Sequence, residues 1–387
     1  MLTQQRSRTL HGRPAGRGLS LIELMVSLTL GLFLIAGMLT LLARNSNTRA
    51  ELDKAGRQVE NGRYAAQRLS EDLHNAGFYG EFYGVPSPGT SSFPTALPDP
   101  CNLFYATTAF KGAKAFPVQG ITAVANGTVP SCINTANIVK SAYSSLLVVR
   151  FASPATTLPT PASAASGVVD WAPNPTAASA ALATLDPASA VPLLYAQSNI
   201  DDVSFATKSD AAANFATLKV SSGTATNQIN APVYRYITRI YFLSPCSRPT
   251  SGIVCSAAAD GGSPIPTLKM IEMISTGSAA VFSDPVPVAE GIEALGFDYG
   301  LDSNADGAPD TYVDCSACTA DNWGNVVAVR VNLIARNTEV SPGYADAKTY
   351  SLGLAGTYTP STADQRYKRH EYQLQVRVKN ASMRREQ

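Results

Sequence analysis

An α+β protein is predicted, in which one very long N-terminal helix is half embedded in lipid and half laid across an antiparallel β-sheet with loop insertions. Three observations carry this. Residues 18–43, GLSLIELMVSLTLGLFLIAGMLTLLA, hold a single charge, Glu23, in an otherwise uncharged run. Residues 44–76 continue at helical spacing, with Leu52, Ala55, Val59, Ala66, Leu69 and Leu73 on one side and charges such as Arg57, Glu60, Arg68, Glu71 and Asp72 elsewhere around the helix. Beyond residue 77 the chain alternates in short segments separated by Pro, Gly, Ser and Thr, which reads as strands and loops.

The apolar segment is long enough to be a membrane span. From Leu19 to Ala43 a helix rises about 37 Å at ~1.5 Å per residue, against a hydrocarbon core of roughly 30 Å. A carboxylate inside a span costs about 2.5–3.5 kcal/mol, so Glu23 calls for a partner. Arg6, Arg8, Arg13 and Arg17 precede the span with no acidic residue among them, which keeps that end cytoplasmic and sends the rest across. A secretory signal peptide would place its small-residue cut site after the apolar region, whereas here Gly18 comes before it. Continued to Asn75, the helix reaches about 85 Å and stops at Gly77. Gly31 and Gly37 suit close helix approach or are only tolerated. Gly62 costs about 1 kcal/mol relative to Ala, which predicts a packing contact or a kink.

The order basic leader, Gly18, Leu19, Ser20, Leu21, Ile22, Glu23, long span resembles the class III signal of type IV prepilins, with Leu19 in place of Phe and Ser20 in place of Thr. The resemblance implies a pilin-like fold and cleavage after Gly18 by a dedicated prepilin peptidase, with N-methylation of the new terminus at Leu19. It also implies an assembly role for Glu23, whose carboxylate would meet the new Leu19 amine of a neighbouring subunit or of the same chain. The domains expected are then a leader (1–18), a transmembrane half of the helix (19–43), an amphipathic half (44–76) and a globular β-rich domain (77–387).

Two further stretches narrow the resemblance. Residues 58–81, QVENGRYAAQRLSEDLHNAGFYGE, are similar to the segment after the span in minor pilins of the PilW type, through Glu60, Asn61, Gly62, Arg63 and the turn Ala76–Gly80. Residues 290–336, with EGIEALGFDYGLDSNADGAPDTYV and then WGNVVAVRVNLIAR, resemble the C-terminal half of the same proteins. Residues 82–285 lie outside these matches. The implied function is that of a non-enzymatic minor pilin that helps initiate or cap a type IV pilus. Its partners would be the peptidase, other minor pilins, the major pilin and a tip adhesin. It would sit in the inner membrane with a periplasmic globular domain, then in the pilus at the cell surface. A type II secretion pseudopilin shares these features, and a membrane-anchored adhesin or enzyme is a reading of another class.

The globular part is close to neutral. The chain carries 30 basic and 29 acidic residues, and without the leader's four arginines the balance is about −3, which does not suit nucleic-acid binding. Six cysteines, all beyond the span, favour disulfides in an oxidising compartment. Six allow 15 pairings; sequence neighbours suggest Cys101 with Cys132, Cys246 with Cys255, and Cys315 with Cys318. Strands are expected at Ser144–Phe151, Val233–Leu243, Leu268–Ser275, Val326–Ala335 and Tyr372–Lys379. In the last, Tyr372, Leu374, Val376 and Val378 point inward and the residues between face water. Residues 152–190, dominated by Ala, Pro, Ser and Thr, read as a low-complexity insertion.

Catalysis finds little material. There are three histidines, His11, His74 and His370, and none of the nucleophile-elbow, HExxH, phosphate-loop or dinucleotide motifs. Cys315-Ser-Ala-Cys318 has redox-motif spacing, yet it follows an acidic loop rather than a strand leading into a helix. Basic residues near the end, including Arg366, Lys368, Arg369, Arg377, Arg384 and Arg385, read as a solvated face. One stretch suits a cation. Asp302, Asn304, Asp306 and Asp310 occupy positions one, three, five and nine of a calcium-type loop, with Gly307 at six and the Ala308 carbonyl at seven. Position twelve is Val313, so a last ligand would come from Asp314 or a distant residue. Asp, Asn and Gly also build such turns without a metal.

Overall fold

The computed structural model describes residues 20–85, 87–104, 111–122, 129–158, 195–198, 203–206, 219–221, 228–275 and 280–386. The chain forms two compact units, residues 1–53 and 54–387. Helix α1 (Leu21–Asn75) supplies residues to both. No proline interrupts it, and it ends where Gly77 takes φ +78°, the left-handed conformation of a helix C-terminal stop. In the first unit its Leu24, Leu28, Phe33, Ile35 and Leu42 are exposed, and the segment is long and apolar enough to cross a membrane.

The second unit is built of strands. In chain order they are β1 (Val118–Ile121), β2 (Leu146–Leu158), β3 (Tyr195–Ser198), β4 (Val203–Ala206), β5 (Lys219–Ser221), β6 (Gln228–Asn230), β7 (Val233–Ser244) and β8 (Thr267–Ser275). Then follow β9 (Ala280–Phe282), β10 (Val286–Glu290), β11 (Ile292–Leu301), β12 (Thr311–Val313), helix α2 (Ala320–Gly324), β13 (Val326–Arg336), β14 (Tyr350–Ser351), β15 (Thr357–Tyr358), β16 (Arg369–Arg377) and helix α3 (Lys379–Arg385). An eight-stranded sheet runs β1-β2-β7-β3-β4, with β8 beside β7 and carrying β9 and β10; a four-stranded sheet runs β12-β11-β13-β16. All these named-strand pairings are antiparallel.

One core joins them. Ala65, Leu69 and Leu73 of α1, with Ala76 just after it, pack with Val149, Phe151 and Tyr241 of the larger sheet and with Phe297, Val329, Leu333 and Val376 of the smaller. Trp323 of α2 stacks edge-on against Tyr299 in the same core.

Three expectations need correction. The buried face of α1 is Gln58, Gly62, Ala65, Leu69, Asp72 and Leu73, whereas Leu52 and Val59 are exposed. Small and hydrogen-bonded polar residues share the contact with Leu69 and Leu73. The central strands are buried on both faces, β7 and β13 almost without a break, because Ile133, Ile138, Tyr350 and Leu352 cover their far sides. Only β16 keeps the expected alternation toward its end, with Val376 buried between exposed Gln375 and Arg377, and it stops at Arg377 so that Lys379 begins a helix. Strand β2 continues past Phe151 to Leu158; the rest of the low-complexity insertion, 159–190, falls outside the described residues.

Candidate functional site

The leader cut site, Gly18 and Leu19, lies outside the described residues. Glu23 stands in the first turn of α1, where a negative charge complements the helix dipole. Its Oε2 accepts from the Ser20 amide at 3.1 Å. Ser20-Leu21-Ile22-Glu23 is therefore one half of an S-x-x-E capping arrangement, satisfying an amide that the helix itself leaves without a partner. The carboxylate is exposed and retains further acceptor capacity.

The amphipathic half of α1 is fastened to the sheets by side chains rather than by apolar contact alone. Gln58 Nε2 donates to the carbonyls of Ala335 (2.7 Å) and Lys368 (3.0 Å), and Asn61 Nδ2 donates to Glu290 O at 3.1 Å. A Cβ on Gly62 would lie 2.3 Å from Tyr372 Cε2. That glycine is there for packing, since Tyr372 crosses the helix at this point and donates its hydroxyl to Val59 O at 3.2 Å. Asp72, 2% exposed, accepts from Arg239 Nη1 at 2.8 Å and from the Tyr241 hydroxyl at 2.6 Å. Arg239 also pairs with Glu272 at 2.7 Å, and Glu272 with Arg235. Burial and then Asp72 push the Tyr241 phenol far above its usual value; the Arg239 guanidinium, despite burial, is held charged by Asp72 and Glu272.

The last turn of α1 is closed from the other end of the chain. Asn380 Nδ2 lies 3.2 Å from Ala76 O and within 3.5 Å of the His74 and Asn75 carbonyls, and Arg384 Nη1 donates to Gly77 O at 3.1 Å. These are the carbonyls a helix leaves unpaired. His74 is half-buried, and burial followed by Lys379 holds its imidazole below the ordinary value.

The aspartate loop 302–310 joins β11 to β12. Asp302 is fully buried, and its carboxylate takes the amides of Ala305 (2.7 Å) and Gly307 (2.9 Å) and Arg385 Nε at 2.7 Å. Burial alone would raise its pKa; these donors, Gly307 foremost, outweigh it and hold the carboxyl below the usual range. Asp310 accepts from the Ser303 amide and hydroxyl, Asp306 from Asn304 and the Ala308 amide, and Asp314 from Ser316. The basic residue Arg385 thus faces inward instead of water. Among the described residues no group of three His, Cys, Asp or Glu side chains is placed to hold a metal ion. A cation at this loop would have to replace Arg385 as the partner of Asp302.

The cysteines form Cys101–Cys132, Cys246–Cys255 and Cys315–Cys318 bonds. All three tie turns and loops rather than sheet to sheet, the last just before α2. The polar anchors Gln58, Asp72, Arg239 and Asn380 were invisible to periodicity; the one sequence signal available was that Gln58, Asn61 and Asp72 fall at helical spacing on the same stripe as Gly62, Ala65, Leu69 and Leu73.

Fold and anchors together define a class: an α+β protein whose N-terminal helix is long and apolar enough to cross a membrane. Residues 254–380 match the family model of PilW, the type IV pilus-assembly protein W. The matched family is structural rather than catalytic. Among solved structures, a type IV-like pilin from Thermus thermophilus aligns over 54% of this chain and 96% of its own, at 13% identity and a TM-score of 0.22. No curated protein matches the chain.

Proposed function

We propose that the chain is a minor pilin. A prepilin peptidase removes residues 1–18, residues 19–43 hold the subunit in the inner membrane with its globular domain in the periplasm, and the subunit joins other minor pilins and the major pilin to initiate or cap a type IV pilus at the cell surface. One observation carries this reading. The PilW-matched segment, 254–380, contains Glu290, Ala335, Lys368, Tyr372 and Asn380, which hold Gln58, Val59, Asn61 and the end of α1. The pilus-assembly signature thus overlaps part of the surface that holds the helix, the rest coming from residues such as Arg239 and Tyr241. Glu23 is exposed near the start of that helix; its carboxylate would meet the Leu19 amine of a neighbouring subunit or of the same chain, where unpaired charge is expensive. Deleting the gene tests the proposal: loss of surface filaments with exoprotein secretion intact supports it, and loss of secretion with filaments intact assigns the chain to a type II secretion system.

A further inference from the structure

The Cys246–Cys255 bond closes the loop that leaves β7. Its two sulfurs differ in access, since Cys246 is fully buried and Cys255 is half-buried behind the exposed stretch 248–254. Beside them lies Lys269 of β8, 1% exposed, with Nζ 3.9 Å from Cys246 Sγ and 4.0 Å from Cys255 Sγ. Among the described residues those sulfurs are its hydrogen-bond acceptors. Asp260 is the carboxylate whose charge reaches it, but both Asp260 oxygens are taken by the amides of Ser247, Arg248 and Ile265. Burial accordingly holds the Lys269 amine below its ordinary value, with Asp260 offsetting part of that. A disulfide is a poor acceptor, and an amine buried against one is costly; a thiolate in the same place would be a full counter-charge.

We propose that Cys246–Cys255 is a thiol-exchange site, in which an incoming thiolate attacks Cys255 Sγ and Lys269 stabilises the Cys246 thiolate that leaves. The incoming sulfur forms a new S–S bond to Cys255, the Cys246–Cys255 bond breaks, and its electron pair departs on Cys246 Sγ beside the Lys269 ammonium. A second thiolate then displaces Cys255 from the mixed disulfide, so that two thiols are oxidised and one protein disulfide is reduced. Exchange is faster when the attacked sulfur is accessible and the leaving thiol is acidic, and the arrangement supplies both. Opening the bond leaves the 247–254 loop, with its exposed Ile253 and Val254, held through Asn137, which binds Ile253 O and the Cys255 amide. The inference does not rest on the pilus reading.

The test uses the full-length protein in detergent, treated with reduced glutathione, acid-quenched, alkylated and mapped by peptide mass spectrometry. The expected result is glutathione on Cys255 and the alkyl group on Cys246, appearing before either of the other two disulfides opens. Lys269→Met should slow this by about tenfold, and Lys269→Arg should restore most of the rate. Glutathione on Cys246, earlier opening of another bond, or a Lys269→Met rate equal to wild type would overturn the proposal. Should Lys269→Met misfold, seen as all three bonds opening together, the adduct position in the wild type and the rate of Lys269→Arg decide.

Discussion

Two glycines of α1 offer opposite outcomes for the same substitution. At Gly56 a new Cβ meets nothing within 4 Å, so Gly56→Ala should gain the ordinary helix-propensity difference of about 1 kcal/mol. At Gly62 that gain is present too, but the Cβ would fall 2.3, 2.6 and 3.0 Å from three carbons of the Tyr372 ring. The ring has little room to swing, since it packs edge-on against His370 and its hydroxyl holds Val59 O. Overpacking costs about 1–3 kcal/mol, and the strained hydroxyl bond another ~0.5–1.5 kcal/mol. The net is a loss of about 0.5–3.5 kcal/mol. Urea denaturation of residues 54–387, a compact unit, reads both variants, and Tyr372→Leu combined with Gly62→Ala should recover at least ~1 kcal/mol relative to additivity. If Gly62→Ala stabilised the protein as much as Gly56→Ala, the close helix–strand approach would be wrong.

Four other outcomes are expected. Intact mass of the membrane-extracted protein should begin at a methylated Leu19, with Gly18→Val accumulating the precursor; an intact Met1 would refute processing. Glu23→Ala should be cleaved and stable yet poorly recruited into filaments, and normal piliation with that variant as sole copy would remove its assembly role. Millimolar calcium should raise the melting temperature of the globular part more than magnesium does, with Asp306→Ala abolishing the difference; equal melts in calcium and chelator would leave the loop to Arg385. For His74, whose folded pKa is lowered, the unfolded chain binds more protons, so stability is full above the unfolded value of about 6.5 and falls as pH drops below it. His74→Gln should flatten the melting temperature between pH 7.5 and 5, and an unchanged slope would assign the effect elsewhere.

The long helix and several of the strands could be read in the sequence because their signals are local. An uninterrupted helical period, the alternation from Tyr372 to Val378, and cysteines with near neighbours need no knowledge of distant chain. What joins these elements does need it. Asp72 looks like a solvent residue until Arg239 and Tyr241, 167 and 169 positions on, are seen around it. Asp302 looks like a metal ligand until Arg385, 83 positions on, is found against it. Hydropathy also favoured Leu52 and Val59 over Gly62 and Ala65, since it scores size while close approach rewards smallness. Ser20-x-x-Glu23 was legible as a capping pair, but the membrane context drew attention to the charge instead.

The clasp of Asn380 and Arg384 on the end of α1 also orders events in time. The helix is made first, and the groups that close its final carbonyls are made more than three hundred residues later. Until the last strand and α3 emerge, the stripe of Ala65, Leu69 and Leu73 has only part of its cover, and contacts of such long sequence separation form slowly. Losing Asn380 and Arg384 would expose the helix end to proteases while most of both sheets could still form.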